Sequence, residues 1–144
     1  MTPLTENEKA ACQTALVDLV NTTSGVEAAL LASPDGFEVV SATRTRAIDG
    51  PRLAAMSSSM IALGTAMASD LKLDVCRNMH IEAGQGVVLL LTVPCTRTGL
   101  VLSALAPKDT TLGLVLVAAR ACAQVIAKRL DANGRPGEGG RMKQ

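Results

Sequence analysis

Val26-Glu27-Ala28-Ala29-Leu30-Leu31-Ala32-Ser33, then Pro34-Asp35-Gly36, then Phe37-Glu38-Val39-Val40-Ser41-Ala42-Thr43 is the stretch that decides the fold. Proline presets φ and glycine supplies the positive φ of a tight turn, so Pro-Asp-Gly between two β-like runs predicts a hairpin. Upstream, a first helix is predicted to start at Thr5, whose hydroxyl caps it while Glu8 reaches back in a capping box. Its apolar positions Cys12, Leu16, Leu19, Val20 and Thr23 recur at helical spacing, and Gly25 ends it. Downstream, Asp49-Gly50-Pro51 marks the start of a second helix.

The second helix has the cleanest periodicity in the chain. Leu53, Met56, Met60, Leu63, Met67 and Leu71 form one stripe at steps of three or four, flanked by the small residues Ala54, Ala55, Ser57, Ser58, Ser59, Gly64 and Ala68. Part of the stripe is expected to pack on the sheet. Methionine adapts to partner surfaces, and small neighbours allow close helix–helix approach, so the helix is also expected to build a subunit interface.

Val75 to Ala83 alternates, with Val75, Arg77, Met79 and Ile81 on one face and Cys76, Asn78, His80 and Glu82 on the other. Gly84-Gln85-Gly86 turns into Val87 to Val93, an unbroken apolar strand that should be covered on both faces and lie inside the sheet. A turn over Cys95 to Gly99 leads to a strand from Leu100 to Ala106, stopped by Pro107. Thr110 or Thr111 then caps a last helix running to about Leu130, with Leu114, Val115, Ala118, Cys122, Val125 and Ile126 expected inside. The order is αββαβββα. Because the interior strand needs two covers, the expected fold is α/β, a three-layer α/β/α domain over residues 5–130 between a short extension, 1–4, and a flexible Gly-rich tail, 131–144.

The chain has 144 residues, 48% of them hydrophobic, which describes one folded domain. A net charge of +1 and a single aromatic residue, Phe37, give no basis for nucleic-acid binding or for stacking on bases or sugars. The N-terminus lacks the basic and apolar regions of a signal peptide, and the apolar runs are broken by Pro94, Arg97, Gly99 and Arg120. A soluble, cytoplasmic protein with no membrane insertion is expected. Cys12, Cys76, Cys95 and Cys122 form no CxxC pair and read as buried free thiols.

No residue constellation announces a reaction. A P-loop motif is absent, and Gly84-Gln85-Gly86 lies between strand patterns as a turn. Cys76 and His80, four apart on a strand, stand about 13 Å apart, too far for one metal. His80 is the only histidine, so a serine or cysteine triad has no base to use. Arg44, Arg46, Arg52 and Arg97 read as solvated charges rather than as arginine fingers. No catalytic residue, metal or cofactor is expected.

The chain resembles the Roadblock/LC7 family. The resemblance is carried by Leu16-Val17-Asp18-Leu19-Val20, Val26 to Ala32, Asp35-Gly36-Phe37, the second helix, the unit from Gly84 to Val93, Leu100 to Ala106, and Leu112-Gly113-Leu114. It implies a profilin-like, five-stranded, mostly antiparallel sheet in the order 2-1-5-4-3, with the first and last helices on one face. It also implies a homodimer joined through the third strands, with the second helices side by side. Bacterial members resemble regulators or adaptors of Ras-like small GTPases, including activators of the MglB type, and actinobacterial ones occur beside a sensor kinase. The resemblance therefore implies a non-catalytic dimeric regulator that binds a small Ras-like GTPase. Its interface is expected at Met56, Ser59, Met60, Leu63 and Met67 of the second helix and Arg77, Asn78, Met79 and His80 of the third strand. The alternative is a scaffold subunit that organises a sensor-kinase or transport complex without touching a GTPase. A weaker reading is a ligand sensor with an apolar pocket.

Overall fold

The computed structural model describes residues 3–44, 47–95 and 98–133. Its elements run α1 (Glu6–Thr22), β1 (Ala28–Ala32), β2 (Glu38–Thr43), α2 (Gly50–Asp70), β3 (Asn78–Ala83), β4 (Gly86–Thr92), β5 (Val101–Pro107) and α3 (Leu112–Asn133). The capping box forms as the spacing predicts. Glu8 N–H donates to Thr5 Oγ1 at 3.1 Å, and Thr5 N–H donates to Glu8 Oε1 at 2.9 Å. The Asp49 carboxylate caps α2 by accepting from Arg52 N–H at 3.2 Å. In the hairpin turn, Gly36 takes φ +92 and donates its N–H to Ser33 C=O at 3.0 Å.

The sheet has five strands in the order β2-β1-β5-β4-β3, and every neighbouring pair is antiparallel. This is the order that the family resemblance implies. β4 is interior, as its unbroken apolar run requires, but β5 holds the centre. The three-layer reading holds: α1 and α3 cover one face, where Leu16, Leu31, Leu89, Leu102, Ile126 and Leu130 meet in the larger core. On the other face, α2 packs Ala54 and Ile61 against Leu30, Ala32, Leu90 and Val101. Leu4, ahead of the first helix, is buried in the larger core.

Three local expectations differ. β3 starts at Asn78 rather than Val75, because Lys72 and Asp74 both take positive φ, 58 and 73, and Val75 to Arg77 still lead the chain up to the sheet. In α3, Val115, Ala119, Cys122, Ala123, Ile126, Ala127 and Leu130 are buried, while Leu114 and Val125 point outward. That helix is so rich in small apolar residues that spacing alone does not choose its inner face. It also continues to Asn133, past the expected end at Leu130. Residues 134–144, and with them most of the expected tail, lie outside the described residues, as do Arg46 and Arg97.

Candidate interaction surface

The second helix turns its small residues to the sheet and leaves most of its large stripe outside. The residues buried along α2 are Gly50, Ala54, Ser57, Ser58 and Ile61, mostly small ones. Small side chains let the helix axis sit close to the sheet, and hydroxyls then fasten it there. Ser57 Oγ and Ser103 Oγ lie 2.7 Å apart in a buried pair, and Ser58 Oγ donates to Ser33 C=O at 2.7 Å. Gly64 belongs to the same close approach: a Cβ there would stand 2.9 Å from Cys76 Sγ.

The large stripe is left outside. Met56 is 51% exposed, and Leu63 and Met67 are each 66% exposed, with Leu71 beyond them also exposed. Leu53 and Met60 are half-buried at the sheet margin. The part of the stripe that packs on the sheet, as expected, is Leu53 and Met60. Between α2 and the outer strands runs an apolar groove of about 430 Å³, bordered by Met56, Ser59, Met60, Ile81, Val88 and Leu90. Large exposed apolar patches mark interaction sites on folded proteins.

Beside this groove the sheet ends at β3, whose outer edge has no neighbouring strand among the described residues. An open edge is a template for a further strand unless it is blunted. Met79 is half-buried on the α2 side and packs with the smaller core, and Ile81 shares that side. Asn78, His80 and Glu82 alternate to the α3 side, opposite Leu91, Leu89 and Val87. Asn78 is half-buried there and its amide oxygen accepts from Arg120 Nη2 at 3.2 Å.

The sequence profile of the Roadblock/LC7 domain matches residues 13–94, more than half of the chain. The chain belongs to the Roadblock/LC7 family. Among solved structures, MglB of Myxococcus xanthus is 18% identical with a TM-score of 0.79, over 91% of this chain and 96% of that one. The gliding protein MglB of Thermus thermophilus is 16% identical with a TM-score of 0.75, over 89% and 96%. A Roadblock/LC7 domain from Streptomyces avermitilis is 17% identical with a TM-score of 0.73, over 82% and 96%. At these identities the likeness is one of fold. No curated protein matches the chain in sequence.

Within this Roadblock/LC7 fold the nine expected interface residues divide between two sides of the sheet. Met56, Ser59 and Met60 border the groove, Leu63 and Met67 continue the exposed stripe, and Met79 packs beneath. Asn78 and His80 belong to the opposite side. Arg77 lies just ahead of β3 with its C=O accepting from Thr92 N–H, and it borders a cleft beside α3 with Arg120. Ile81, Val88 and Arg120 are surface residues that the sequence reading did not single out. Arg120 had a visible signal, being the one charge inside the apolar run from Leu112 to Ala127.

Among the described residues, no group of three or more His, Cys, Asp and Glu side chains comes together to hold a metal. Cys12, Cys95 and Cys122 are buried and Cys76 half-buried, and none of the four is in a disulfide. The Cys122 thiol is pushed up from 9.0 to about 12, first by burial and then by the neighbouring Cys12 and Asp18. Such a thiol is a packed apolar group, not a nucleophile. Among the described residues, no helix is long and apolar enough to cross a membrane.

Proposed function

We propose that this chain is a non-catalytic homodimeric regulator or adaptor that binds a Ras-like small GTPase. In the dimer, the β3 edges of two copies pair, the two α2 helices lie side by side, and their combined face receives the GTPase. The observation that carries this reading is the exposed Met and Leu stripe of α2 set directly beside an open strand edge. Covering both at once removes two liabilities of the single chain, an exposed apolar surface and an unpaired ladder. Membership of the Roadblock/LC7 family supports the GTPase as partner, as does the fold likeness to MglB.

The test is to mix the full chain with the small GTPase encoded nearest to it. Association in one nucleotide state, or a changed rate of GTP hydrolysis, is expected. If neither nucleotide state binds and hydrolysis is unchanged, the GTPase assignment is lost. A sensor kinase or transport subunit recovered without a GTPase then favours the scaffold alternative.

A further inference from the structure

A cleft of about 540 Å³ opens beside the start of β3, with Val75, Leu91 and Pro94 among its apolar walls and Arg77, Thr92 and Arg120 among its polar ones. Among the described residues no carboxylate borders it. Arg120 donates to the neutral Asn78 amide, which leaves its charge without a counterion in the cleft. An arginine guanidinium at a recess bordered by no acid makes a site for an anion that has two oxygens to share. The apolar walls suit a carboxylate on an aliphatic stem better than a bare inorganic ion.

The geometry of β3 indicates where such a carboxylate comes from. Thr92 N–H donates to Arg77 C=O at 3.2 Å, and continuing the β3–β4 register makes these two residues direct partners. Alternation along the strand then turns the backbone groups of Asn78, His80 and Glu82 away from β4, toward the open edge. A two-fold antiparallel ladder on that edge forms hydrogen bonds only where such outward-turned residues face each other. Centred on His80, it uses all three residues and sets Asn78 opposite the partner's Glu82. Centred on Met79 or Ile81, it uses only two of the three.

Opposed residues of an antiparallel pair project to the same face, with Cα atoms about 5.5 Å apart where they are hydrogen-bonded. Asn78 lies on the α3 side, within 3.2 Å of Arg120 Nη2. The partner's Glu82 would stand next to Asn78 on that same side, within side-chain reach of Arg120. We propose that the cleft is a carboxylate-binding site filled by Glu82 of a second copy, and that the resulting Glu82–Arg120 pair, repeated by symmetry, fixes the register of the two β3 strands. This inference rests on the β3-edge dimer of the preceding subsection.

The experiment is a charge-swap cycle on the full chain, read as the dimer dissociation constant by sedimentation. E82R and R120E are each expected to weaken the dimer about tenfold, since each change is present twice in the assembly. The double variant E82R/R120E restores it to within about threefold of the native value. E82Q, which removes the charge without reversing it, gives a smaller loss, and high salt abolishes its difference from the native chain. A native dimer whose single variants bind unchanged, or whose losses simply add in the double variant, overturns the carboxylate site and leaves the dimer standing. A native chain that stays monomeric overturns both.

Discussion

Placing two carboxylates on the outer stripe of α2, in the double variant Leu63→Glu/Met67→Glu, separates association from folding. Both side chains are 66% exposed in the single chain, so about two thirds of each is available to a partner. Full burial of a Leu or Met side chain contributes about 1.5–3 kcal/mol, which gives about 1–2 kcal/mol for each exposed portion. Four such side chains meet in a dimer, for an upper value of about 4–8 kcal/mol. If the contact covers half of that area, the loss is about 2–4 kcal/mol, or about 30- to 700-fold in the dissociation constant. Repulsion between carboxylates across the two-fold axis adds to this. The isolated fold should hardly notice, because exposed substitutions usually change stability by less than about 0.5 kcal/mol. Sedimentation across a concentration series measures the first effect and circular dichroism the second. A variant that dimerises like the native chain refutes the reasoning, and so does one that fails to fold.

Other expectations follow from the packing. Ser103→Ala leaves the buried Ser57 hydroxyl without its 2.7 Å partner and should cost about 1–3 kcal/mol in urea unfolding, whereas Ser57→Ala/Ser103→Ala should cost much less than twice that; strict additivity counts against the pair. Gly25 sits at φ +96, and a Cβ there would lie 2.7 Å from Thr110 Cγ2, so Gly25→Ala should lower stability by about 1–3 kcal/mol. A variant as stable as the native chain would show that the turn can relax. The Cys122 thiol stays protonated in the folded chain up to about pH 12, so alkylation at pH 8 should spare it until the chain unfolds. Its unfolded counterpart ionises first, near 9.0, so this group makes the fold less stable as pH rises between 9.0 and about 12. Mass spectrometry of the alkylated native protein checks the first point, and urea titrations above pH 9.0 check the second.

Most of the architecture could be read from turn chemistry and caps. Thr5 with Glu8, Asp49 with Pro51, and Pro34-Asp35-Gly36 each carry their own local mechanism, and each lies where expected. What failed was the assignment of faces. The stripe from Met56 to Met67 was legible as a stripe, but which part of it packs on the sheet was not, because serines and alanines can form the buried side of a helix when they allow a close approach and satisfy one another's hydroxyls. Leu114 and Val125 illustrate the same ambiguity in a helix that is apolar nearly all round. The start of β3 was misplaced because Lys72 and Asp74 adopt left-handed backbone without being glycine, and residue type gives no warning of that. Arg120 meets Asn78 only through tertiary structure, 42 residues along the chain, so the cleft they share could not be seen in any local pattern.

Sedimentation equilibrium of the native full chain at micromolar concentration is the most direct test of the whole account. The open β3 edge and the bare α2 stripe predict a species of about twice 14.8 kDa that dissociates on dilution. A single species of 14.8 kDa at every concentration would contradict it, since the face proposed to receive the GTPase exists only when two copies meet.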